Sequence, residues 1–260
     1  MSSDFSLDEK WLKKLDEKLQ KVISRIGTDR KTLDQVFDTS TLLLLGKFIS
    51  DGVIDYVDFP ISTGKEANIF RGVTPQNTFV AIKIYRTSTA TFKHISQYII
   101  GDPRFDISNK TKRETIFEWA KKEFKNLQRL QKAQVLAPKP IIRRDNILIM
   151  QYLGSKNTPA PLLKDVDITN PQEVFDQLLT YMKNMYQKVQ LVHADLSSYN
   201  ILFYRKKPYI IDVGQTVLTE HPMAQEFLKR DIHNILHHFK KYNINYREEH
   251  LYTEITKEKG

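Results

Sequence analysis

Leu191-Val192-His193-Ala194-Asp195-Leu196-Ser197-Ser198-Tyr199-Asn200-Ile201-Leu202-Phe203-Tyr204, continued by Arg205-Lys206-Lys207-Pro208-Tyr209-Ile210-Ile211-Asp212-Val213-Gly214, is the stretch on which the reading of this chain turns. Ile201–Tyr204 and Tyr209–Ile211 read as two short strands joined by the polar turn Arg205-Lys206-Lys207-Pro208. A hairpin returns the chain to the end where it started. Asn200 just precedes the first strand and Asp212 just follows the second, so an amide oxygen and a carboxylate meet at the open end. Hard oxygen donors of this kind suit Mg²⁺. A surface hairpin with polar ends would give the same local pattern, but would leave the features below as coincidences.

Working upstream, Phe79-Val80-Ala81-Ile82-Lys83-Ile84-Tyr85 reads as a strand. Alternation puts Phe79, Ala81, Lys83 and Tyr85 on one face and Val80, Ile82 and Ile84 on the other. A lysine in so apolar a strand needs a partner, a ligand or an edge position reaching solvent. A long helix over 112–134 supplies a partner. Its apolar stripe is Ile116, Trp119, Ala120, Phe124, Leu127 and Leu130, and Glu123 projects into the middle of it. A carboxylate on a core-facing stripe must be neutralised, and Lys83 is the matching cation.

These pieces carry a resemblance. His193-Ala194-Asp195 with Asn200 fits the H-x-D-x-x-x-x-N loop of protein kinases, and Asp212-Val213-Gly214 stands where kinases keep Asp-Phe-Gly. More specifically, the chain resembles the RIO family of atypical serine/threonine protein kinases. Ser62-Thr63-Gly64-Lys65-Glu66-Ala67-Asn68 is similar to that family's nucleotide loop, in the form found in its first subfamily. The resemblance covers about residues 40–240 and takes in His221-Pro222-Met223 and Arg230-Asp231.

The resemblance implies an α+β, protein-kinase-like fold of two lobes with a truncated C-lobe; as a departure from ordinary protein kinases, the sequence after Gly214 has no Ala-Pro-Glu and no room for a full activation segment plus peptide-binding helices. It implies ATP and Mg²⁺ (or Mn²⁺) as cofactors. Asp195, Asp212 and Lys83 would be the catalytic residues, with Asp195 orienting the acceptor hydroxyl and Asn200 and Asp212 holding the metal. Ser62, Thr63, Gly64, Lys65, Glu66, Lys83, Glu123, Met150, Gln151, Tyr152, Leu153 and Asn200 would form the ATP site. The Gln151 carbonyl and Leu153 amide are expected at the adenine edge. The implied activities are phosphorylation of protein Ser/Thr and ATP hydrolysis through transient phosphorylation of Asp212, in maturation of the small ribosomal subunit. Ser108, in the Ser/Thr/Lys-rich loop 86–111, is the favoured self-phosphorylation site, with Lys110, Lys112 and Arg113 nearby to pair with a phosphate.

Three units follow along the chain: a helical extension over 1–52, an upper lobe over 53–153 and a lower lobe over 154–260. The extension carries an amphipathic helix over 7–26 and a second over Thr39–Ser50. Pro171 reads as the first residue of a helix capped by Asn170, and the last helix is expected over Pro222–Phe239. Composition is that of a folded chain, 40% hydrophobic and 27% charged. There is no cysteine, so disulfides, cysteine-ligated zinc and thiol nucleophiles are excluded. No apolar run is long enough to span a bilayer, no signal peptide is legible, and a cytoplasmic location is expected. The net charge of +9 suits polyanionic partners such as pre-ribosomal RNA. His233 and His237, one helical turn apart, have no third ligand and read as an ordinary helix face. Two other functions fit the same motifs. A small-molecule kinase of the aminoglycoside or choline type would want an acidic cleft for a cationic substrate; this chain is basic with few acidic residues after Asp212, which argues against it. An assembly factor using ATP only as a switch would not need the full set of catalytic residues.

Overall fold

The computed structural model describes residues 37–87, 98–100, 102–105 and 109–257, together with Glu17. The helix expected over 7–26 and the candidate Ser108 lie outside the described residues.

Five antiparallel strands form the upper sheet: β1 (Tyr56–Thr63), β2 (Ala67–Val73), β3 (Phe79–Tyr85), β4 (Pro140–Arg144) and β5 (Ile147–Gln151). Their spatial order is β1-β2-β3-β5-β4, which puts the Lys83 strand at the centre. The alternation of β3 then decides two cores. Val80, Ile82 and Ile84 face helix α1 (Thr39–Ser50), whose Leu45 and Phe48 are fully buried with them. Burying those two side chains contributes about 3–6 kcal/mol as an upper bound. Asp38 caps α1, its carboxylate accepting from the Thr41 amide at 2.8 Å. Ala81 and Tyr85 face the other way, onto helix α2 (Lys112–Lys132), and join a core that runs on into the lower lobe.

Helix α2 starts at a capping box, with the Thr111 hydroxyl and the Glu114 carboxylate each satisfying the other's backbone amide. Its buried face holds Ile116, Trp119, Ala120, Leu127 and Leu130 with Glu123 among them, as the periodicity predicts; Phe124 is only half-buried, and the polar Lys122 and Asn126 join the face unexpectedly. Strand β4 is an addition to the expected elements. Pro138 and Pro140 read as helix terminators, yet Pro140 opens a strand. The missing amide is tolerated because β4 is the edge of the sheet.

The lower lobe contains α3 (Pro171–Val189), the pair β6 (Leu191–Val192) and β9 (Val217–Leu218), the hairpin β7 (Ile201–Tyr204) and β8 (Lys207–Ile210), α4 (Ala224–Phe239) and α5 (Glu248–Thr256). Three expectations need correction here. Strand β8 runs from Lys207 to Ile210 rather than over Tyr209–Ile211, because the turn takes only Arg205 and Lys206. Both have positive φ, 51° and 61°, the two-residue turn whose twist matches a hairpin. Asn170 precedes α3 but makes no side-chain cap bond; Pro171 alone opens the helix. Helix α4 starts at Ala224, and α5, which was not anticipated, follows it. Only Leu251 and Ile255 of α5 are buried, too sparse a period to read from sequence.

Candidate active site

The central ammonium lies where the sheet meets α2. Lys83 Nζ donates to both carboxylate oxygens of Glu123 at 2.8 Å and to Asp212 Oδ1 at 2.7 Å. The Tyr85 hydroxyl, two residues along the same strand face, also donates to Glu123. Lys83 and Glu123 side chains are 8% and 2% exposed, whereas Asp212 is 45% exposed at the cleft floor. Burial alone would pull the Lys83 ammonium down; the Asp212 and Glu123 carboxylates outweigh it and hold it well above the ordinary lysine value. The same Lys83 charge holds the Asp212 carboxyl below its ordinary value, against the effect of burial. Burial and the Glu123 charge both push the Tyr85 phenol well up, so it stays a hydrogen-bond donor.

The hairpin brings Asn200 to the same place. Its Nδ2 donates to the Asp195 carbonyl at 2.7 Å and to Asp195 Oδ2 at 3.0 Å, so the amide oxygen turns away from Asp195. The Ile211 amide bonds the Asn200 carbonyl at 3.0 Å, which closes the open end of the hairpin just before Asp212. Asp212 itself has φ +57°, a left-handed backbone that a non-glycine residue adopts only where its surroundings enforce it. His193 is buried and packs the loop from behind, with Nε2 3.0 Å from the Ile211 carbonyl; burial holds the imidazole below its ordinary value.

Asp231 of α4 has a part that the sequence did not assign. Its carboxylate accepts from the Ala194 amide at 2.9 Å and from the Leu196 amide at 2.7 Å, clamping the loop on either side of Asp195. Ala194 itself has φ +69°. Burial pushes the Asp231 carboxyl up to about 8, against the pull of those two amides and of Arg230. A signal was present in the sequence. Asp231 falls on the apolar stripe of Phe227, Leu228, Ile232 and Ile235, the pattern that drew attention to Glu123.

Two adjoining cavities occupy the cleft between the lobes. One, about 220 Å³, is lined by Ser62, Gly64, Lys65, Glu66 and Lys83 of the upper lobe and by Asp195, Asn200 and Asp212 of the lower. The other, about 360 Å³, is more apolar; Ala81, Met150, Gln151, Tyr152, Leu153 and Leu202 are among its walls. Thr63 lines neither cavity; it pairs with Asn68 across the β1–β2 hairpin. The Leu153 carbonyl accepts from the Ala160 amide at 2.9 Å, which fixes the connection between the lobes.

The RIO domain family profile matches residues 68–251. The RIO-type serine/threonine-protein kinase Rio1 of Haloferax volcanii is 38% identical over 88% of this chain and 79% of its own. The Methanocaldococcus jannaschii protein of the same name is 37% identical over 97% of this chain and 85% of its own. Human serine/threonine-protein kinase RIO1 is 40% identical, but the match spans only 39% of that longer chain. Among solved structures, the Rio2 kinase–ADP/Mg²⁺–phosphoaspartate complex from Chaetomium thermophilum superposes with a TM-score of 0.65 over 97% of this chain and 90% of that one. At 17% identity that likeness carries the fold alone. Among the described residues no helix is long and apolar enough to cross a membrane. On the length of the family match and the archaeal and human relatives together, this chain belongs to the RIO family of serine/threonine protein kinases.

Proposed function

We propose that this chain binds ATP with Mg²⁺ between its lobes and transfers the γ-phosphoryl group, with Lys83, Asp195, Asn200 and Asp212 as its working groups. The observation that carries the reading is the convergence of these four side chains, drawn from β3, the loop after β6 and the two ends of one hairpin, on a single cavity. The more apolar cavity beside it has the size and lining for a purine, with Ala81 leaving room for the ring. The Gln151 carbonyl and Leu153 amide supply its edge contacts. The donor set fits a divalent cation: Asp212 offers a carboxylate and Asn200 an amide oxygen. Mg²⁺ sites of this kind use one or two such groups with phosphate oxygens completing the shell. When bound, the metal would neutralise charge between the β- and γ-phosphates. Lys83, held by Glu123, contacts the α- and β-phosphates, and Ser62, the Gly64 amide and Lys65 cover them from above. Asp195 orients the acceptor hydroxyl and takes its proton.

A second outcome at the same site, ATP hydrolysis through a phosphorylated Asp212, is favoured by the exposure of that carboxylate in the cleft. The net charge of +9 supports a ribosomal RNA partner in small-subunit maturation. Incubation with γ-labelled ATP and Mg²⁺, with and without small ribosomal subunits, separates these outcomes. Stable label on Ser or Thr that is lost in Asp195→Ala marks the kinase. Hydroxylamine-sensitive label lost in Asp212→Ala marks the aspartyl-phosphate route. Absence of any Mg-ATP turnover or labelling by the parent protein would refute the proposal.

A further inference from the structure

We propose that Lys122 and Asn126 of α2 are positioning residues for the Asp212 loop, and that Asp102 and Arg104 tie this clamp to the segment entering α2. The inference rests on Asp212 being a metal ligand.

Lys122 is a fully buried lysine that the phosphate site does not use. Its Nζ donates to the Gly214 carbonyl at 2.8 Å and to the Thr216 carbonyl at 2.5 Å. Asn126, one turn further along, donates through Nδ2 to the Val213 carbonyl at 2.8 Å and to Thr216 at 3.3 Å. Three of the four backbone carbonyls that follow Asp212, those of Val213, Gly214 and Thr216, are therefore held by side chains of one helix. The Val213 carbonyl also accepts from the Thr216 amide at 3.3 Å; for the Gly214 and Thr216 carbonyls no strand or helix ladder among the described residues supplies a donor, and buried acceptors need partners. The strained backbone at Asp212 persists only if its surroundings over-determine it. These bonds, with the indole of Trp119 lying against Gly214, provide that constraint. Glu123, adjacent to Lys122, holds Lys83. A single helix thus sets both the ammonium and the carboxylate that pair at the back of the cleft.

The clamp continues outward. The Asn126 Oδ1 accepts from Arg104 at 2.9 Å, and Arg104 grips Asp102 through two bonds of 2.8 and 2.6 Å. Asp102 Oδ2 lies 3.9 Å from Lys122 Nζ, with both side chains fully buried. Asp102 belongs to a stretch that touches both lobes. Tyr98 lies against Trp119 of α2 and Phe227 of α4, and the Ile100 carbonyl is 3.0 Å from His221 Nε2. How this stretch docks therefore bears on the Asp212 loop through two side-chain contacts. Burial draws the Lys122 ammonium down to about 7, but a neutral amine still has two N–H donors for its two carbonyls, so the clamp does not depend on the charge.

The test compares Lys122→Met, Asn126→Leu and Asp102→Asn with the parent protein and Asp212→Ala. Mn²⁺ binding in the presence of ADP is followed by electron paramagnetic resonance, and nucleotide binding without metal by fluorescence. Support around a ligand typically alters metal affinity about 10–100-fold. The expected result for Lys122→Met and Asn126→Leu is a fall of about tenfold or more in Mn²⁺ affinity and in kcat, with metal-free nucleotide affinity kept. Asp102→Asn should give a smaller loss in the same direction. If Lys122→Met does not fold, Asn126→Leu and Asp102→Asn are read on the same measurements. Folded variants that bind Mn²⁺ as the parent does would overturn the clamp while leaving Asp212 as a ligand. An Asp212→Ala protein with unchanged Mn²⁺ binding would overturn both.

Discussion

Replacing Lys83 by Met tests the electrostatic centre of the molecule through stability rather than activity. Lys83 is the cation for two carboxylates, of which Glu123 is 2% and Asp212 45% exposed. Removing it leaves the buried Glu123 carboxylate without the cation that bonds both its oxygens, beside the neutral Tyr85 hydroxyl. Breaking a buried pair from one side costs about 3–5 kcal/mol. Glu123→Gln should cost less, about 1–3 kcal/mol, because Lys83 keeps Asp212. Asp212→Asn should cost least, under about 1 kcal/mol, since water already screens that half-exposed carboxylate. Combining Lys83→Met with Glu123→Gln should recover part of the loss, because the orphaned charge is gone. Urea unfolding curves with a common slope give these differences directly. A Lys83→Met protein within about 1 kcal/mol of the parent, or a Glu123→Gln protein equally damaged, would refute the claim that Glu123 depends on Lys83 for its burial.

Further predictions concern the loops. Asp231→Asn withdraws one of the acceptors that hold the Ala194 and Leu196 amides; kcat should fall about 100-fold with KM for ATP little changed, in steady-state assays. Gly214→Ala puts a Cβ 3.0 Å from the rigid Trp119 ring, so the loop or the indole must move. Kinase activity should drop and the tryptophan emission shift, while the alanine variant of exposed Gly52 leaves both unchanged. For pH, burial would raise the Asp102 carboxyl, yet Arg104 and Lys122 hold it below the ordinary carboxylate value. A depressed folded value contributes stability above about pH 4 and loses it as pH falls through the folded value. The deficit of Asp102→Asn in urea unfolding should therefore be full at pH 7 and shrink toward zero in acid; a deficit constant down to pH 2 would contradict it.

The residues of the site were largely legible in the sequence because each violates its local pattern. Lys83 interrupts an apolar strand, Glu123 an apolar helical stripe, and Asn200 and Asp212 flank a hairpin whose return was implied by its turn. Periods of two and of 3.6 residues determined which faces those groups occupy. The same logic would have found Asp231, but a polar residue on a stripe names no partner, and its partners are backbone amides in another element. Strand β4 was hidden because proline stops a helix anywhere but is tolerated in a strand only at a sheet edge, and edges exist only once the sheet is assembled. By itself the sequence determined the two-lobed α+β plan and the chemical types that meet in the cleft; that the Lys83 strand is central came only with the order of the assembled sheet. Only the tertiary structure decided that Lys83 bridges two carboxylates, that Asp231 grips the loop around Asp195, and that Lys122 serves the Gly214 and Thr216 carbonyls. Backbone donors and acceptors are the same at every residue, so only proximity in the folded chain selects which of them a buried side chain will satisfy.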